Sequence, residues 1–137
     1  MIVIPMLGRS SRFSNCGYEK PKYQLPLADE TLFAKSLRSF EKYFPNQHFL
    51  FLVRSDNNAK KFVISELSRF DITDFRIKEF DFETRGQAES VYLGLSDYED
   101  HLPVLIFNID TIRKNFTFPS EDLSGDGFLE VFKGEGD

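Results

Sequence analysis

The sequence predicts an α/β fold: a three-layer αβα arrangement around a Rossmann-like, mainly parallel sheet. Three observations carry this expectation. Short, almost continuously apolar segments recur along the chain, the pattern of strands buried on both faces. Stretches with apolar residues at helical spacing lie between them. Polar, loop-forming residues crowd the carboxyl ends of the first and fourth strand-like segments, where ligands of open parallel sheets bind.

Ile2 to Pro5 is the first strand, and it ends at Gly8. Thr31 to Phe44 places Phe33, Leu37, Phe40 and Phe44 along one helical face, with Pro45-Asn46 as its stop. "HFLFLV" (His48 to Val53) is the second strand, followed by Asp56 and Asn57 as candidate caps of a helix that repeats Ala59, Val63, Leu67 and Phe70. Phe75 to Phe80 makes a third strand, Gly86 to Leu95 a third helix, and "LPVLIFNID" (Leu102 to Asp110) a fourth strand ending in a carboxylate. The order is βαβαβαβ. A polar connection from Arg113 to Asp126 leads into an expected last strand, "GFLEVF" (Gly127 to Phe132).

With 137 residues the chain is expected to form one domain, residues 1–137, with no internal repeat or low-complexity linker. Sixteen Phe, no Trp and a 41% hydrophobic fraction supply a core and exclude the composition of disordered chains. The single cysteine, Cys16, rules out an intrachain disulfide framework, and the short apolar start is unlike a signal peptide, so a cytoplasmic location is expected. No run reaches the ~20 apolar residues of a membrane span. A net charge of −5 argues against nucleic acid as the main partner.

Against that acidic background the loop after the first strand is basic: Arg9, Arg12, Lys20 and Lys22 face a single acid, Glu19. Such a loop points to a small anion. Gly8 lets the backbone turn tightly and leaves room for a ligand beside main-chain N–H groups, while Ser10 and Ser11 add hydroxyls. Arg12 and Lys22 carry the charge that phosphate oxygens require. The spacing matches neither the P-loop nor the dinucleotide fingerprint.

"IPMLGRSSRF…EKPKYQLPL" resembles the signature loop of sugar-phosphate and phosphocholine-type nucleotidyltransferases, A-G-x-G-[ST]-R-[FML] followed by P-K and an apolar stretch. Leu7 stands for the Ala, Gly8 and Ser10 for the two glycines, Ser11 and Arg12 for the S-R pair, and Pro21-Lys22 for P-K. The capsule and surface-polysaccharide variety is the nearest in pattern. The resemblance implies a nucleotide-diphospho-sugar transferase (GT-A-like) sheet whose nucleotide contacts are Leu7, Gly8, Arg9, Ser10 and Ser11, with Arg12 and Lys22 as the catalytic cations. It implies that Gly86 and Gln87 of "ETRGQAESVYLGL" lie at the base, that Asn108 adds a nucleotide contact, and that Asp110 of "LIFNID" holds Mg²⁺. Gln both donates and accepts, which favours a pyrimidine, CTP or UTP. The implied reaction joins a nucleoside triphosphate and a phosphorylated small-molecule acceptor, releasing pyrophosphate. In this family the acceptor pocket and a second metal carboxylate come from a later portion, so the chain is expected to be the nucleotide-binding front of a longer enzyme, with self-association at its uncovered surface.

Two rival readings stand beside it. "FNIDT" is similar to the haloacid-dehalogenase signature D-x-D-x-T, but Asn108 occupies the nucleophile's place. A degenerate homologue or fragment that binds nucleotide without turnover is the non-enzymatic alternative. Cys16 has no evident His partner for nucleophilic catalysis, and His48 and His101 are too isolated for a metal site.

Overall fold

A computed structural model of the chain describes residues 1–56, 58–118 and 126–131. In chain order it contains β1 (Ile2–Pro5), α1 (Ser11–Asn15), a 3₁₀ turn (Lys22–Gln24), β2 (Pro26–Leu27), β3 (Glu30–Thr31), α2 (Leu32–Leu37), a 3₁₀ segment (Arg38–Tyr43), β4 (Phe49–Arg54), α3 (Ala59–Leu67), β5 (Phe75–Phe80), α4 (Gln87–Gly94) and β6 (Leu105–Ile106). The main sheet has the order β5-β4-β1-β6 with every pairing parallel, and β2-β3 form a separate antiparallel hairpin. The predicted α/β class and parallel sheet are what the chain adopts.

Alternation along the strands divides the core into two layers. Ile2, Ile4, Phe49, Phe51 and Val53 face Phe33, Leu37 and Phe40 from the α2 region and Val63 and Leu67 from α3. Val3, Leu50 and Leu52 face the other way, toward Phe80 and Val91 of α4. Helices therefore cover both faces. On the α4 side the approach is close: a Cβ at Gly94 would lie 2.6 Å from Cδ2 of the fully buried Leu52. A methyl group there would require the Leu52 side chain to shift.

Several elements differ from the sequence reading. The helix expected over Thr31 to Phe44 tightens to 3₁₀ at Arg38. Residues three apart eclipse in such a turn, and Phe40 and Tyr43 accordingly both meet Phe116, with ring centroids at 5.0 and 6.2 Å. The cap of α3 is Asn58 in the left-handed region at φ 51°, not Asp56, whose carboxylate turns to Arg54 at 2.7 Å; Asn57 lies outside the described residues. The fourth strand is two residues long. Pro103 precedes it, and beyond the Phe107 N–H bond to the Val3 carbonyl (2.9 Å) the chain turns, with the Thr111 N–H donating to the Asn108 carbonyl at 3.0 Å. The expected last strand is not formed at Gly127 to Val131: no neighbouring strand is offered there among the described residues, and Phe128, Leu129 and Val131 are 62%, 84% and 78% exposed. Phe132 lies outside the described residues.

Thr31 joins the hairpin to both helices on one face. Its Oγ1 accepts from the Ala34 N–H (3.1 Å), capping α2, and donates to the buried Glu66 carboxylate of α3 (2.6 Å). Beside it Arg38 grips Glu30 through two nitrogens at 2.7–3.1 Å, and this pairing holds the Glu30 carboxyl below its usual range. Thr31→Ala is expected to destabilise the chain by ~1–2 kcal/mol, since it removes a cap and one partner of a buried carboxylate. Urea unfolding checks it, and a midpoint equal to the parent's would deny Thr31 that role.

Candidate active site

The loops after β1, β5 and β6 converge on one cleft of ≈ 310 Å³ at the carboxyl ends of the strands. β1 delivers the loop because four apolar residues fill both faces of the sheet and release the chain at Met6, whose N–H still reaches the Leu52 carbonyl at 2.7 Å. Leu7, Gly8, Arg9 and Ser10 line the cleft, and a Cβ at Gly8 would enter open space. Ser10 stands in the left-handed region at φ 53°, the backbone that favours glycine, and caps the short helix α1. Its Oγ accepts the Lys22 backbone N–H at 3.2 Å and so ties the two ends of the basic loop together.

Lys22 reaches across the cleft to Asp110, its Nζ contacting Oδ2 directly. These residues are 88 positions apart in sequence, and the fold brings them into contact. The segment that carries Asp110 is anchored from behind by α2 and the 3₁₀ segment: Ser36 Oγ donates to the Thr111 carbonyl (2.6 Å) and Ser39 Oγ accepts from the Arg113 N–H (2.9 Å). Gly86 and Gln87 enter from the start of α4, and Gln87 Nε2 donates to Asn108 Oδ1 at 2.8 Å. Nine of the eleven residues expected at the site, namely Leu7, Gly8, Arg9, Ser10, Lys22, Gly86, Gln87, Asn108 and Asp110, therefore line one cavity. Ser11 faces a neighbouring hollow of ≈ 440 Å³ with Ser14, Arg54 and Asp56, and Arg12 lies exposed on α1 outside both linings.

Sequence reasoning left out Tyr23, Glu83, Thr84 and Ser90, which complete the walls. Glu83 pairs with Arg9 and lies 3.7 Å from Arg54, so the second carboxylate of the cleft also has cationic partners. Burial pushes the Tyr23 phenol above its ordinary pKa. Thr84 and the buried Ser90 share a hydrogen bond at 2.6 Å, and Ser90 also donates to the Gly86 carbonyl at 3.0 Å. One available signal was spacing: Ser90, four residues after Gly86 on a helix, falls on the same inward face. Arg85 clasps Glu89 by its backbone N–H (2.5 Å) and side chain (2.9 Å), and the backbone bond is the main reason that the Glu89 carboxyl lies below its usual range.

A cleft at strand carboxyl ends, with a glycine loop, a lysine and a carboxylate, is suited to a phosphate ester and a hard cation. The chain is similar to the nucleoside-diphosphate-sugar pyrophosphorylase from Vibrio cholerae RC9, at 45% identity and a TM-score of 0.80 over 88% of this chain. That likeness supports a nucleotidyltransferase-like family. This chain spans 51% of the pyrophosphorylase's length. Rv0371c from Mycobacterium tuberculosis H37Rv shares the fold at 24% identity and a TM-score of 0.53, covering 80% of this chain and 50% of its own. No family model and no curated protein matches the sequence. Among the described residues no helix is long and apolar enough to cross a membrane.

Proposed function

We propose that residues 1–137 form the nucleotide-binding portion of a cytoplasmic, Mg²⁺-dependent nucleotidyltransferase of capsule or surface-polysaccharide biosynthesis. Its substrates are a pyrimidine nucleoside triphosphate, CTP or UTP, and a phosphorylated small-molecule acceptor. The observation that carries this is the meeting of Lys22 with Asp110 in a cleft that also holds the Gly8 loop and Gln87. The 45% identity to a nucleoside-diphosphate-sugar pyrophosphorylase supports the same class of chemistry.

In this reading an acceptor phosphate oxygen bonds to the α-phosphorus while the bond to the β-phosphate bridging oxygen breaks, and pyrophosphate leaves. Lys22 holds phosphate oxygens, and Arg12, on α1 within the same loop and outside the cavity lining, adds positive charge from a greater distance. The Gly8 loop admits the phosphates beside main-chain N–H groups. Gln87, steadied by Asn108, presents the remaining amide oxygen and N–H to a base edge. The donor set at Asp110 fits a hard ion of the Mg²⁺ type: one carboxylate already contacted by a cationic ammonium, with the phosphates and waters left to supply the rest. Such an ion, when bound, neutralises charge on the phosphate oxygens.

The acceptor side is assigned to sequence without a counterpart in this chain, because the chain spans about half of its relative. Positioning of an acceptor can supply ~7–11 kcal/mol of a transfer barrier, so the 137 residues should bind nucleotide without efficient turnover. Among the described residues β6 is an edge strand, and its Ile106 and the preceding Val104 are exposed, which offers a surface for self-association.

Thermal shifts with CTP, UTP, ATP, GTP and dTTP, each with Mg²⁺, test the reading. CTP or UTP is expected to raise the midpoint most at a fixed concentration. A midpoint indifferent to all five would remove the nucleotide from this cleft. Brisk pyrophosphate release by the 137-residue chain would place the acceptor groups within it after all.

A further inference from the structure

We infer that Lys22 is the resident counter-ion of Asp110 and that it makes divalent-metal binding conditional on nucleotide. The inference deepens the nucleotidyltransferase reading and rests on it. Asp110 contacts the Lys22 ammonium through Oδ2, and the neighbouring Asn108 oxygen is taken by Gln87. Glu83, the other carboxylate of the cleft, is matched with Arg9 and Arg54. Among the described residues no group of three or more His, Cys, Asp or Glu side chains is placed to hold a metal. A bare divalent ion must therefore compete with an ammonium for a single carboxylate.

The competition has an unfavourable charge balance. If the ion displaces Lys22, an ammonium and a divalent ion face the single charge of Asp110, because Glu83 is already matched by Arg9 and Arg54, and the repulsion between the two cations opposes binding. A triphosphate resolves this. Its oxygens accept the released ammonium and at the same time complete the coordination of the ion. Lys22 is built for the exchange: its backbone N–H is fixed on Ser10 Oγ, while its flexible four-carbon stem lets the charge swing between carboxylate and phosphate. Metal and nucleotide then bind with positive coupling, each raising the affinity for the other.

The test uses Mn²⁺ alone, with free ion measured by electron paramagnetic resonance, on the 137-residue chain and its Lys22→Met and Lys22→Arg variants. Lys22→Met is expected to bind Mn²⁺ more tightly than the parent by about tenfold or more, the scale of one charge-assisted contact, and Lys22→Arg to stay near the parent. Addition of CTP or UTP should tighten Mn²⁺ binding in the parent and do so far less in Lys22→Met. Lys22→Gln provides a second neutral variant, and circular dichroism confirms that each is folded. Equal Mn²⁺ affinities in the parent and the neutral variants, abolished in each by Asp110→Asn, would overturn the counter-ion role and leave the nucleotidyltransferase reading standing. Absence of Mn²⁺ binding in both neutral variants would overturn the counter-ion role too. Mn²⁺ binding indifferent to Asp110→Asn would remove the metal from this cleft and overturn both.

Discussion

Asp110→Asn is expected to erase the Mg²⁺ dependence of nucleotide binding while leaving the chain folded. The amide keeps the shape of the side chain and loses the charge that attracts a hard cation. Because the substitution also releases Lys22, nucleotide measured in a chelating buffer should bind at least as well as it does to the parent. The ratio of the affinities with and without Mg²⁺ therefore falls to about unity, from both directions at once. Isothermal titration with CTP or UTP in the two buffers reads the ratio directly. The fold should tolerate the change, since Asp110 is exposed and solvent-accessible ion pairs contribute only ~0–1 kcal/mol. A variant that keeps the parent's Mg²⁺ linkage would take Asp110 out of the site.

Phe40→Ala should have the largest effect on stability. Its ring is fully buried and lies 4.6 Å from Phe107, 5.0 Å from Phe116 and 6.4 Å from Phe49, centroid to centroid, all in edge-on geometry. It thus binds the 3₁₀ segment, β4 and the chain that leaves β6 into one aromatic cluster. Truncation of a buried Phe costs about 3–5 kcal/mol, against a total stability of roughly 5–15 kcal/mol for a domain. The expected outcome is a midpoint lowered by roughly 10–20 °C. Phe107 precedes Asn108 and Asp110, so nucleotide affinity should also suffer at temperatures where the variant remains folded. A midpoint within a few degrees of the parent's would mean that the cluster closes over the lost ring.

How far the sequence revealed the molecule depended on whether periodicity or partnership decided each element. β1 and β4 are legible because near-continuous apolar runs suit a strand buried on both faces of a parallel sheet, whereas β5, with Arg76, Lys78 and Glu79 among its six residues, is the less buried outer strand. Gly127 to Val131 is also largely apolar, yet lies outside any strand, because pairing needs a neighbour that composition does not specify. The 3₁₀ segment that follows α2 packs on Phe116, 73 residues beyond Tyr43, and local spacing carries no record of that partner. At the site, Gly8, Lys22, Gln87 and Asp110 stood out by motif and strand-end position. Glu83 and Thr84 did not, since their place in the wall follows from the path of the chain between β5 and α4. The contact of Lys22 with Asp110 is equally hidden: the sequence points one residue at phosphate and the other at a metal ion, whereas the fold pairs them with each other.

Gly94 gives the cleft a mechanical dependence on a residue that never touches it. It and Gln87 stand at opposite ends of α4, roughly 10 Å apart at ~1.5 Å rise per residue. Leu52 lies close against one end of the helix, and the Gln87 amide, 2.8 Å from Asn108, stands at the other, so the depth at which the helix packs also sets the position of the amide. A methyl group at position 94 gains helix propensity of ~1 kcal/mol, which offsets much of the crowding. Room for that methyl group requires Leu52 or the helix to shift, and a shift of the helix would carry Gln87 with it. The packing distance between α4 and the sheet thus fixes where the Gln87 amide stands in the cleft.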